Sequence, residues 1–334
     1  MSTGAARAAV TRIRERWYYR HAGLTLEVNE SLPRLSPVAS EPPNVGIEFL
    51  EPGREAEGDL PWRLVAPAGL WRAQAADGSW LRLRYWYEEL WAEFVIDARG
   101  ERIWISRAPG VLLSELTELL IGPIFSCLCA QRGLTCVHAS VVSVDDRVIA
   151  LVGPSGAGKS TTALALIQAG GTLISDDAAI LVDRGELISV AAGTPRIRIR
   201  ADPARLLIGE YESLEPVWTE ARPAEPKRYL QTSPTPVTTD EVVHTLDVIY
   251  FLAPWSETLG VPIARPLSPG AALPMLMAQR HFLQAIERSA DRRDFALLGR
   301  LLRTAPAREL LRPVGLETTA QTVTTILTDV TSLN

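Results

Sequence analysis

A glycine-rich stretch near the middle of the chain matches the phosphate-binding pattern G-x-x-x-x-G-K-[ST]. It runs from Gly153 to Ser160 with the sequence GPSGAGKS. Glycines let successive backbone N–H groups turn inward around phosphate oxygens, and a helix that follows adds the positive end of its dipole. The lysine of this pattern reaches the β- and γ-phosphates of a nucleotide, and the final hydroxyl holds a Mg²⁺ ion. The stretch therefore predicts a site for ATP and Mg²⁺.

The sequence around the loop has the elements that such a site needs. An apolar run at residues 147–152 precedes it, and residues 161–167 have helical composition. Strand, loop and helix in this order make an unoccupied glycine-rich turn the weaker alternative. We expect the nucleotide to be contacted by Gly153, Ser155, Gly156, Ala157, Gly158, Lys159, Ser160 and Thr161.

Two adjacent carboxylates, Asp176 and Asp177, follow the short β-rich run at residues 172–175. At the end of a strand beside a phosphate loop, carboxylates can serve as Mg²⁺ ligands or as the base that acts on an acceptor hydroxyl. An ordinary solvated Asp-Asp turn is the alternative interpretation. Taken together with the phosphate loop, the pair favours a catalytic role.

Arginine and isoleucine alternate between residues 195 and 200. In a strand, Arg196, Arg198 and Arg200 would share one face while the isoleucines point into the core. Such a stripe suits a phosphate or an acidic substrate segment, and a solvated edge is equally compatible with it. We expect one arginine, Arg196 or Arg198, to bind substrate.

Lysine is rare in this chain. Only Lys159 and Lys227 occur among the 34 basic residues. Lys227 lies in a stretch at residues 210–240 that is rich in proline and has little periodicity, and loops of that length are usually either functional lids or disordered. It could therefore reach a bound nucleotide or the acceptor.

Composition and charge exclude several classes of protein. The 334 residues carry a formal net charge of -5, which gives no overall basic footprint for nucleic acid. The most apolar stretch, residues 111–129, contains Glu115, Glu118 and a Gly-Pro break, so we expect no membrane span. The first 20 residues are rich in arginine without an apolar core, unlike a secretory signal. We expect a cytoplasmic protein with no nucleic-acid or membrane partner; a homo-oligomer is compatible with the sequence.

The chain divides into two predicted domains. Residues 1–107 hold seven of the nine tryptophans and several alternating segments, which predicts a small antiparallel sheet domain with a loop at residues 33–43. Residues 108–334 form the second domain. There we predict a helix over residues 112–132 that breaks at Gly122-Pro123, and a β-hairpin formed by residues 135–144 and 147–152.

The rest of the second domain alternates strand and helix signals. A buried strand is predicted over residues 242–252, and Asp202-Pro203 and Ser268-Pro269 should each begin a helix. Further helices are predicted over residues 291–304 and 318–330. His281, between two of these helices, is interpreted as a structural histidine.

The order of three motifs resembles a known catalytic core. Val137-His138-Ala139-Ser140, then the phosphate loop, then Ile174-Ser175-Asp176-Asp177 is similar to HPr kinase/phosphorylase and to HPr-kinase-related serine kinases. Later segments resemble the related subgroup: residues 194–198, Lys227-Arg228 and residues 267–270. The opening at residues 18–24, YYRHAGL, is similar to the N-terminal module of that subgroup, some of whose members accompany ribosomal-peptide gene clusters.

This resemblance implies an α/β fold with a P-loop kinase core similar to phosphoenolpyruvate carboxykinase, built on a mixed sheet beside the small N-terminal β-rich domain. It implies that Lys159 and Ser160 contact nucleotide and Mg²⁺. Asp177 or Asp176 would be the base, with the other carboxylate near the metal. His138 would orient the base or a water molecule.

The implied activity is that of an ATP- and Mg²⁺-dependent kinase acting on a serine hydroxyl of a peptide or protein, for example a ribosomally made precursor peptide. A small-molecule hydroxyl kinase and a non-catalytic nucleotide-binding regulator are the alternatives. The chain departs from the HPr enzymes at Ala139, where they carry glycine, and at Thr161, where they carry an acidic residue. We also recognise no counterpart of their C-terminal signature, and these departures weaken HPr as the acceptor and phosphorolysis as a second activity.

Overall fold

The structure is a computed structural model, and it describes residues 15–54, 56, 60–67, 69–218, 226–232, 243–281 and 288–333. Eight strands from the first third of the chain are β1 (Trp17–His21), β2 (Leu24–Val28), β3 (Val45–Phe49), β4 (Arg63–Ala66), β5 (Leu70–Ala75), β6 (Gly78–Tyr87), β7 (Leu90–Ile96) and β8 (Arg102–Arg107). They form one sheet in the order β1-β2-β3-β8-β7-β6-β5-β4.

This N-terminal sheet is mixed, so the prediction of a purely antiparallel sheet is wrong at β3. That strand runs parallel to both of its neighbours, β2 and β8. The connection from β2 to β3 is the long segment that contains the predicted loop at residues 33–43, and a connection of this length can return the chain to the same end of the sheet. Alternation within β3 follows the period of two, since Val45, Ile47 and Phe49 are buried.

One long helical segment packs against the N-terminal sheet. It consists of α1 (Leu113–Leu119), a π-helical turn (Leu120–Ile124) and α2 (Phe125–Gln131). The predicted break at Gly122-Pro123 is wrong, because the wider π turn carries Pro123 without ending the helix. The window Leu113–Gln131 is long and apolar enough to cross a membrane, with a mean hydropathy of 1.5, but 72% of it is buried inside the protein. It serves in this fold as a core helix.

A hydrophobic cluster crosses the predicted domain boundary at residues 107 and 108. Leu116, Leu120 and Phe125 of the helical segment pack in the same cluster as Leu26 and Ile47 of the sheet. The helical segment is therefore part of the N-terminal core, and the division at this position stays a prediction.

A second, six-stranded sheet carries the phosphate loop. Its strands are β10 (Ala139–Val144), β11 (Arg147–Val152), β12 (Thr172–Ser175), β19 (Val248–Ser256), β20 (Ile263–Leu267) and β21 (Ala307–Pro313). Their order is β12-β10-β11-β19-β21-β20. The central strands β11, β19 and β21 are parallel and the outer pairs are antiparallel, so this sheet is mixed, as expected. Asp145 and Asp146 turn the β10–β11 hairpin with positive φ angles of 48° and 61°.

Two smaller sheets complete the α/β fold. The first has the order β18-β14-β13-β9, and the second β15-β17-β16. Their strands are β9 (Thr135–Val137), β13 (Ala179–Asp183), β14 (Ile188–Ala191), β15 (Arg196–Ile199), β16 (Glu215–Pro216), β17 (Arg228–Gln231) and β18 (Val243–Thr245).

Two predicted strands are each divided between sheets. The run at residues 135–144 divides at His138, whose backbone N–H donates to Gln279 O at 2.7 Å instead of to a strand neighbour. The run at residues 242–252 divides into β18 and β19, and its first residue lies outside the described part of the chain. Between them, the Asp247 carboxylate accepts a hydrogen bond from Val148 N at 2.8 Å, which fixes the start of β19.

Helices cover both faces of the six-stranded sheet. They are α3 (Lys159–Gln168), α4 (Ala201–Ile208), α5 (Pro269–Ala278), α6 (Arg288–Thr304) and α7 (Thr319–Thr331). Apolar residues of α3, α4 and α7 share one core cluster with the sheet, and those of α5 and α6 share another. Ser268 caps α5 as predicted, but α4 begins after Arg200, so Asp202 lies in the first turn and is not the cap. Gly209, with φ 75°, ends α4 as predicted.

Candidate active site

The glycine-rich loop joins the end of β11 to the start of α3. Gly156 and Gly158 have positive φ angles of 82° and 90°, a conformation that favours glycine. A Cβ atom on Gly158 would lie 3.0 Å from Nη1 of Arg312 and 3.1 Å from Cζ2 of Trp255. Glycine at this position therefore meets both a conformational and a spatial requirement.

Lys159 lies at the first position of α3 and its side chain curls back over the loop. The ammonium donates to Gly153 O at 2.7 Å and to Pro154 O at 3.0 Å. Burial lowers the pKa of Lys159 to about 8, against the opposite effect of Asp177 and Asp176. The charged end is thus held at the mouth of the loop, close to both carboxylates.

Asp176 faces the loop hydroxyl. Ser160 Oγ donates to Asp176 Oδ1 at 3.0 Å, and Ser140 Oγ donates to the same oxygen at 2.6 Å. The backbone N–H of Arg198 donates to Oδ2 at 3.2 Å. A carboxylate and a hydroxyl that face each other beside a phosphate loop are oxygen ligands of the kind Mg²⁺ prefers. Ser160 and Asp176 could therefore serve as ligands of a Mg²⁺ ion.

The backbone of Asp177 adopts φ 74°, which is uncommon for a residue with a side chain. Two histidine rings meet at its carbonyl oxygen. That oxygen lies 2.9 Å from His138 Nδ1 and 2.6 Å from His281 Nε2. The carboxylate forms an ion pair with the Arg198 guanidinium and lies 3.4 Å from His138 Nδ1. The unusual backbone is thus held by side chains from three separate segments.

The charges around Asp177 decide its protonation. Burial alone would raise the pKa of this carboxyl, but its interactions with Arg198, His281, His138 and Lys227 outweigh burial and hold the pKa below its usual range. For Arg198, burial would lower the pKa, and the nearby carboxylates Asp177 and Asp176 raise it instead. Burial also lowers the pKa of His138 despite the attraction of Asp177. At neutral pH the Asp177–Arg198 pair is fully ionised.

These groups line one cavity of about 430 Å³. The residues expected from the sequence that line it are His138, Ser155, Gly156, Gly158, Lys159, Ser160, Thr161, Asp176, Asp177, Arg198 and Lys227. Both lysines of the chain are among them. The cavity thus has one wall formed by the phosphate loop and another formed by the two aspartates.

Three of the expected residues lie elsewhere. Gly153 and Ala157 belong to the loop but do not line the cavity, and Ala157 packs against a core cluster. Arg196 does not line this cavity; its Nε donates to Gln231 Oε1 at 3.0 Å and its guanidinium stands over the Tyr229 ring. Of the two arginines offered as substrate ligands, the structure brings only Arg198 to the cavity.

Three other residues at the site lie outside any sequence motif. The prediction that His281 is only structural does not fit its position after α5, where its Nε2 lies 3.2 Å from His138 Nδ1. Ligand atoms of His138, Asp177 and His281 all lie within 4.8 Å of one another, a group that could hold a metal ion. Trp255 and Arg312 stand next to the loop at the ends of β19 and β21. Trp255 and Arg312 could be assigned to the site only with knowledge of how these two parallel strands pair.

Comparison with known proteins supports the resemblance stated above. No protein-family model matches the chain. The chain is 37% identical over 111 residues to an HPr kinase/phosphorylase from Clostridium botulinum, which covers 32% of this chain and 33% of that protein. It is 39% identical over 61 residues to an HPr kinase/phosphorylase from Chloroherpeton thalassium, 18% of each chain. The match thus spans about a third of the length of the first of these relatives.

Among solved structures, the Hpr(Ser) kinase/phosphatase from Coxiella burnetii matches with a TM-score of 0.30 and 14% identity, covering 59% of this chain and 97% of that chain. This structural similarity is too distant to support an argument about the site. The resemblance to HPr kinase/phosphorylase therefore rests on sequence, where it is confirmed.

Proposed function

Because the chain contains a segment related to the HPr kinase/phosphorylase family, we propose that it is an ATP- and Mg²⁺-dependent kinase that phosphorylates a serine hydroxyl of a peptide or protein. The observation that carries this proposal is the division between two adjacent carboxylates. Asp176 is hydrogen-bonded to the hydroxyl of the phosphate loop, whereas the Asp177 carboxylate lies beside Arg198 and His138, and both aspartates line the same cavity. A site that only binds nucleotide needs the first arrangement and has no need of the second.

In this proposal the loop and the start of α3 hold the phosphates of ATP. Lys159 exchanges its bonds to Gly153 O and Pro154 O for bonds to the β- and γ-phosphates. Ser160 and Asp176 hold the metal, which neutralises charge between those phosphates when bound. A core of this kind, with a phosphate loop on a mixed sheet, is also what a relationship to phosphoenolpyruvate carboxykinase would require.

Asp177 acts on the acceptor. An acceptor hydroxyl beside its carboxylate would donate a hydrogen bond to it and lose its proton to it as the new O–P bond forms, while the bond between the γ-phosphorus and the bridging oxygen of ATP breaks and ADP leaves. A strongly lowered pKa makes Asp177 a weak base but keeps it ionised. In phosphoryl transfer through a loose transition state, positioning of the hydroxyl contributes more than basicity. His138 and His281 hold the Asp177 backbone in place, and Arg198 and Lys227 supply positive charge where the phosphoryl group passes.

A peptide or protein acceptor is favoured over a small molecule because Lys227, which lines the cavity, belongs to a stretch of the sequence long enough to form a lid. A ribosomally made precursor peptide is the acceptor that the motif resemblance suggests. A small-molecule hydroxyl kinase is the second candidate. We place the reaction in the cytoplasm, where ATP is available, without a nucleic-acid or membrane partner.

Intact-mass spectrometry of acceptors tests this proposal. The protein is incubated with ATP and Mg²⁺ together with HPr, serine-containing peptides encoded beside it, and small hydroxyl compounds in separate reactions. We expect one phosphoryl group on a serine of a peptide, none with Lys159→Ala, and an undiminished amount with the surface variant Asp183→Asn. Tight ATP binding with no phosphorylated acceptor and no ATP consumed would contradict a kinase and favour a nucleotide-binding regulator.

A further inference from the structure

One wall of the cavity is formed by a tryptophan that lies against the phosphate loop. Trp255 is near the end of β19, and 38% of its surface is exposed. Its indole borders the loop, since a Cβ on Gly158 would lie 3.1 Å from Cζ2. A large ring that is partly open to a cavity beside a phosphate loop is not needed there for core packing.

The other face of this indole is covered by a buried cation. Arg312 has no exposed surface, and its guanidinium carbon lies 4.1 Å from the centre of the Trp255 ring. Nη2 donates to Ala253 O at 2.9 Å, whereas Nε and Nη1 have no hydrogen-bond partner among the described residues. Burial lowers the pKa of Arg312 to about 10, so it stays charged at neutral pH.

This arrangement fixes the ring and leaves one side of it open. A guanidinium stacked on an indole restrains the plane of the ring, and the exposed area must then lie on the opposite face and the edge. The Arg312 charge also sits behind the loop, because its Nη1 would lie 3.0 Å from a Cβ on Gly158. A buried charge with a single hydrogen bond is costly, and a polyphosphate in the loop would supply the missing negative charge.

The chain beyond β21 completes an apolar slot. Val314, Gly315 and Leu316 also line the cavity, and Val314 is 50% exposed. The backbone N–H of Val314 donates to Ser256 O at 3.1 Å, which places this segment beside Trp255. The cavity therefore has an aromatic and two aliphatic side chains near one another in addition to its charged groups.

We propose that the slot formed by Trp255, Val314 and Leu316 binds the base of the nucleotide, with the base stacked on the indole face that Arg312 leaves free. This inference rests on the nucleotide-binding part of the proposed function and is independent of phosphoryl transfer. Stacking of a base on an aromatic side chain is typically lost when that side chain is replaced by alanine, and the loss weakens binding about 10- to 100-fold.

Calorimetric titration with two ligands tests the slot. MgATP and Mg-tripolyphosphate share the phosphates, and only the first has a base. We expect Trp255→Ala to weaken MgATP binding about 10- to 100-fold and to change tripolyphosphate binding less than about twofold. Trp255→Phe keeps a smaller ring and should give an intermediate loss for MgATP. Trp91→Ala, which removes a tryptophan of matching exposure, 36%, from the N-terminal sheet, should change neither ligand.

Lys159→Ala is the control for the phosphate contacts. It should weaken the binding of MgATP and of tripolyphosphate alike, because both ligands contain the phosphates. An unchanged MgATP affinity in Trp255→Ala and Trp255→Phe would overturn the proposal, and so would an equal loss for MgATP and tripolyphosphate, which would assign Trp255 to the support of the loop. No MgATP binding by the wild-type protein would overturn the nucleotide site and the slot together. Normal MgATP binding without any phosphorylated acceptor would contradict the proposed phosphoryl transfer and would leave the base-binding slot unaffected.

Discussion

The N-terminal sheet and the phosphate-loop sheet each bring a histidine ring to a backbone carbonyl, with opposite consequences. His21 Nε2 lies 3.1 Å from Ile121 O and its ring meets Phe125 edge-on, while Nδ1 is buried without a partner in the described chain. His138 meets Asp177 O in the same way, but its ring faces a second histidine, a carboxylate and a cavity. The first histidine is isolated from charge, and the second belongs to a network of charges.

Two carboxylates that differ in burial repeat this contrast. Burial raises the pKa of Glu118, which is almost fully buried, although Arg198 and its partner Arg34, 3.0 Å away, act against the rise. The side chain of Asp177 is 28% exposed, and its pKa is lowered, because His281, His138 and Lys227 act on it in the same direction as Arg198. At Glu118 the arginines Arg198, Arg34 and Arg196 do not offset the effect of burial on the pKa, whereas at Asp177 four groups from separate segments converge and do offset it. We take that convergence as the mark of the catalytic region.

The largest effect expected at the site comes from Asp177→Asn. The amide keeps the shape of the side chain but cannot take a proton, so the transfer rate should fall about 10²- to 10⁴-fold. Binding of MgATP should stay within about twofold, because the loop contacts are untouched. Single-turnover rates and calorimetric titration measure the two quantities. Asp183→Asn, in a surface pair with Arg300, is the control, and normal turnover in Asp177→Asn would contradict the assigned role.

His21 should make the folded state sensitive to acid. Burial lowers its pKa from 6.5 to about 4, so between these values the unfolded chain binds a proton that the folded protein does not. Stability should therefore be complete above pH 6.5 and should fall by about 3 kcal/mol as the pH drops toward 4. Other groups titrate in the same range, so the informative quantity is the difference between the wild type and His21→Gln in urea unfolding. A difference that does not change between pH 7.5 and pH 4.5 would show that His21 is not buried in its neutral form.

His281 should have a smaller effect than Asp177, because it acts through the Asp177 carbonyl. We expect His281→Ala to lower kcat about tenfold with little change in KM for ATP, and His281→Gln, which keeps an N–H donor, to recover part of the loss. His244→Gln, a histidine on β18 away from the cavity, is the matched control. Equal losses in His281→Ala and His281→Gln together with a raised KM would argue for a general structural role instead.

Local signals in the sequence were sufficient for the phosphate loop and its surroundings. The strand before Gly153, the helix that begins at Lys159 and the strand that ends at Ser175 follow from runs of a few residues each. The β-hairpin that turns at Asp145 and Asp146 also follows from a short run of residues. These features depend on neighbours in the chain, which is why composition and spacing reveal them.

Long-range pairing explains what the sequence did not reveal. His138 leaves one sheet and enters another because its N–H bonds to Gln279, far along the chain. Trp255 and Arg312 meet because β19 and β21 pair in a particular register. His281 reaches Asp177 from a segment with no motif of its own. Arg196 and Arg198 look equivalent in the sequence, and only the position of β15 beside the aspartates distinguishes them.

The division of labour between Asp176 and Asp177 is the central claim, and its direct test is the Mg²⁺ dependence of ATP binding in the wild type, Asp176→Asn and Asp177→Asn. Asp176→Asn removes a proposed carboxylate ligand of Mg²⁺. In this variant, half-maximal enhancement of ATP affinity should therefore require about 10- to 100-fold more Mg²⁺. Asp177→Asn should match the wild type in this assay while failing to transfer phosphate. The same Mg²⁺ dependence in both variants, whether shifted or unshifted, would contradict the claim.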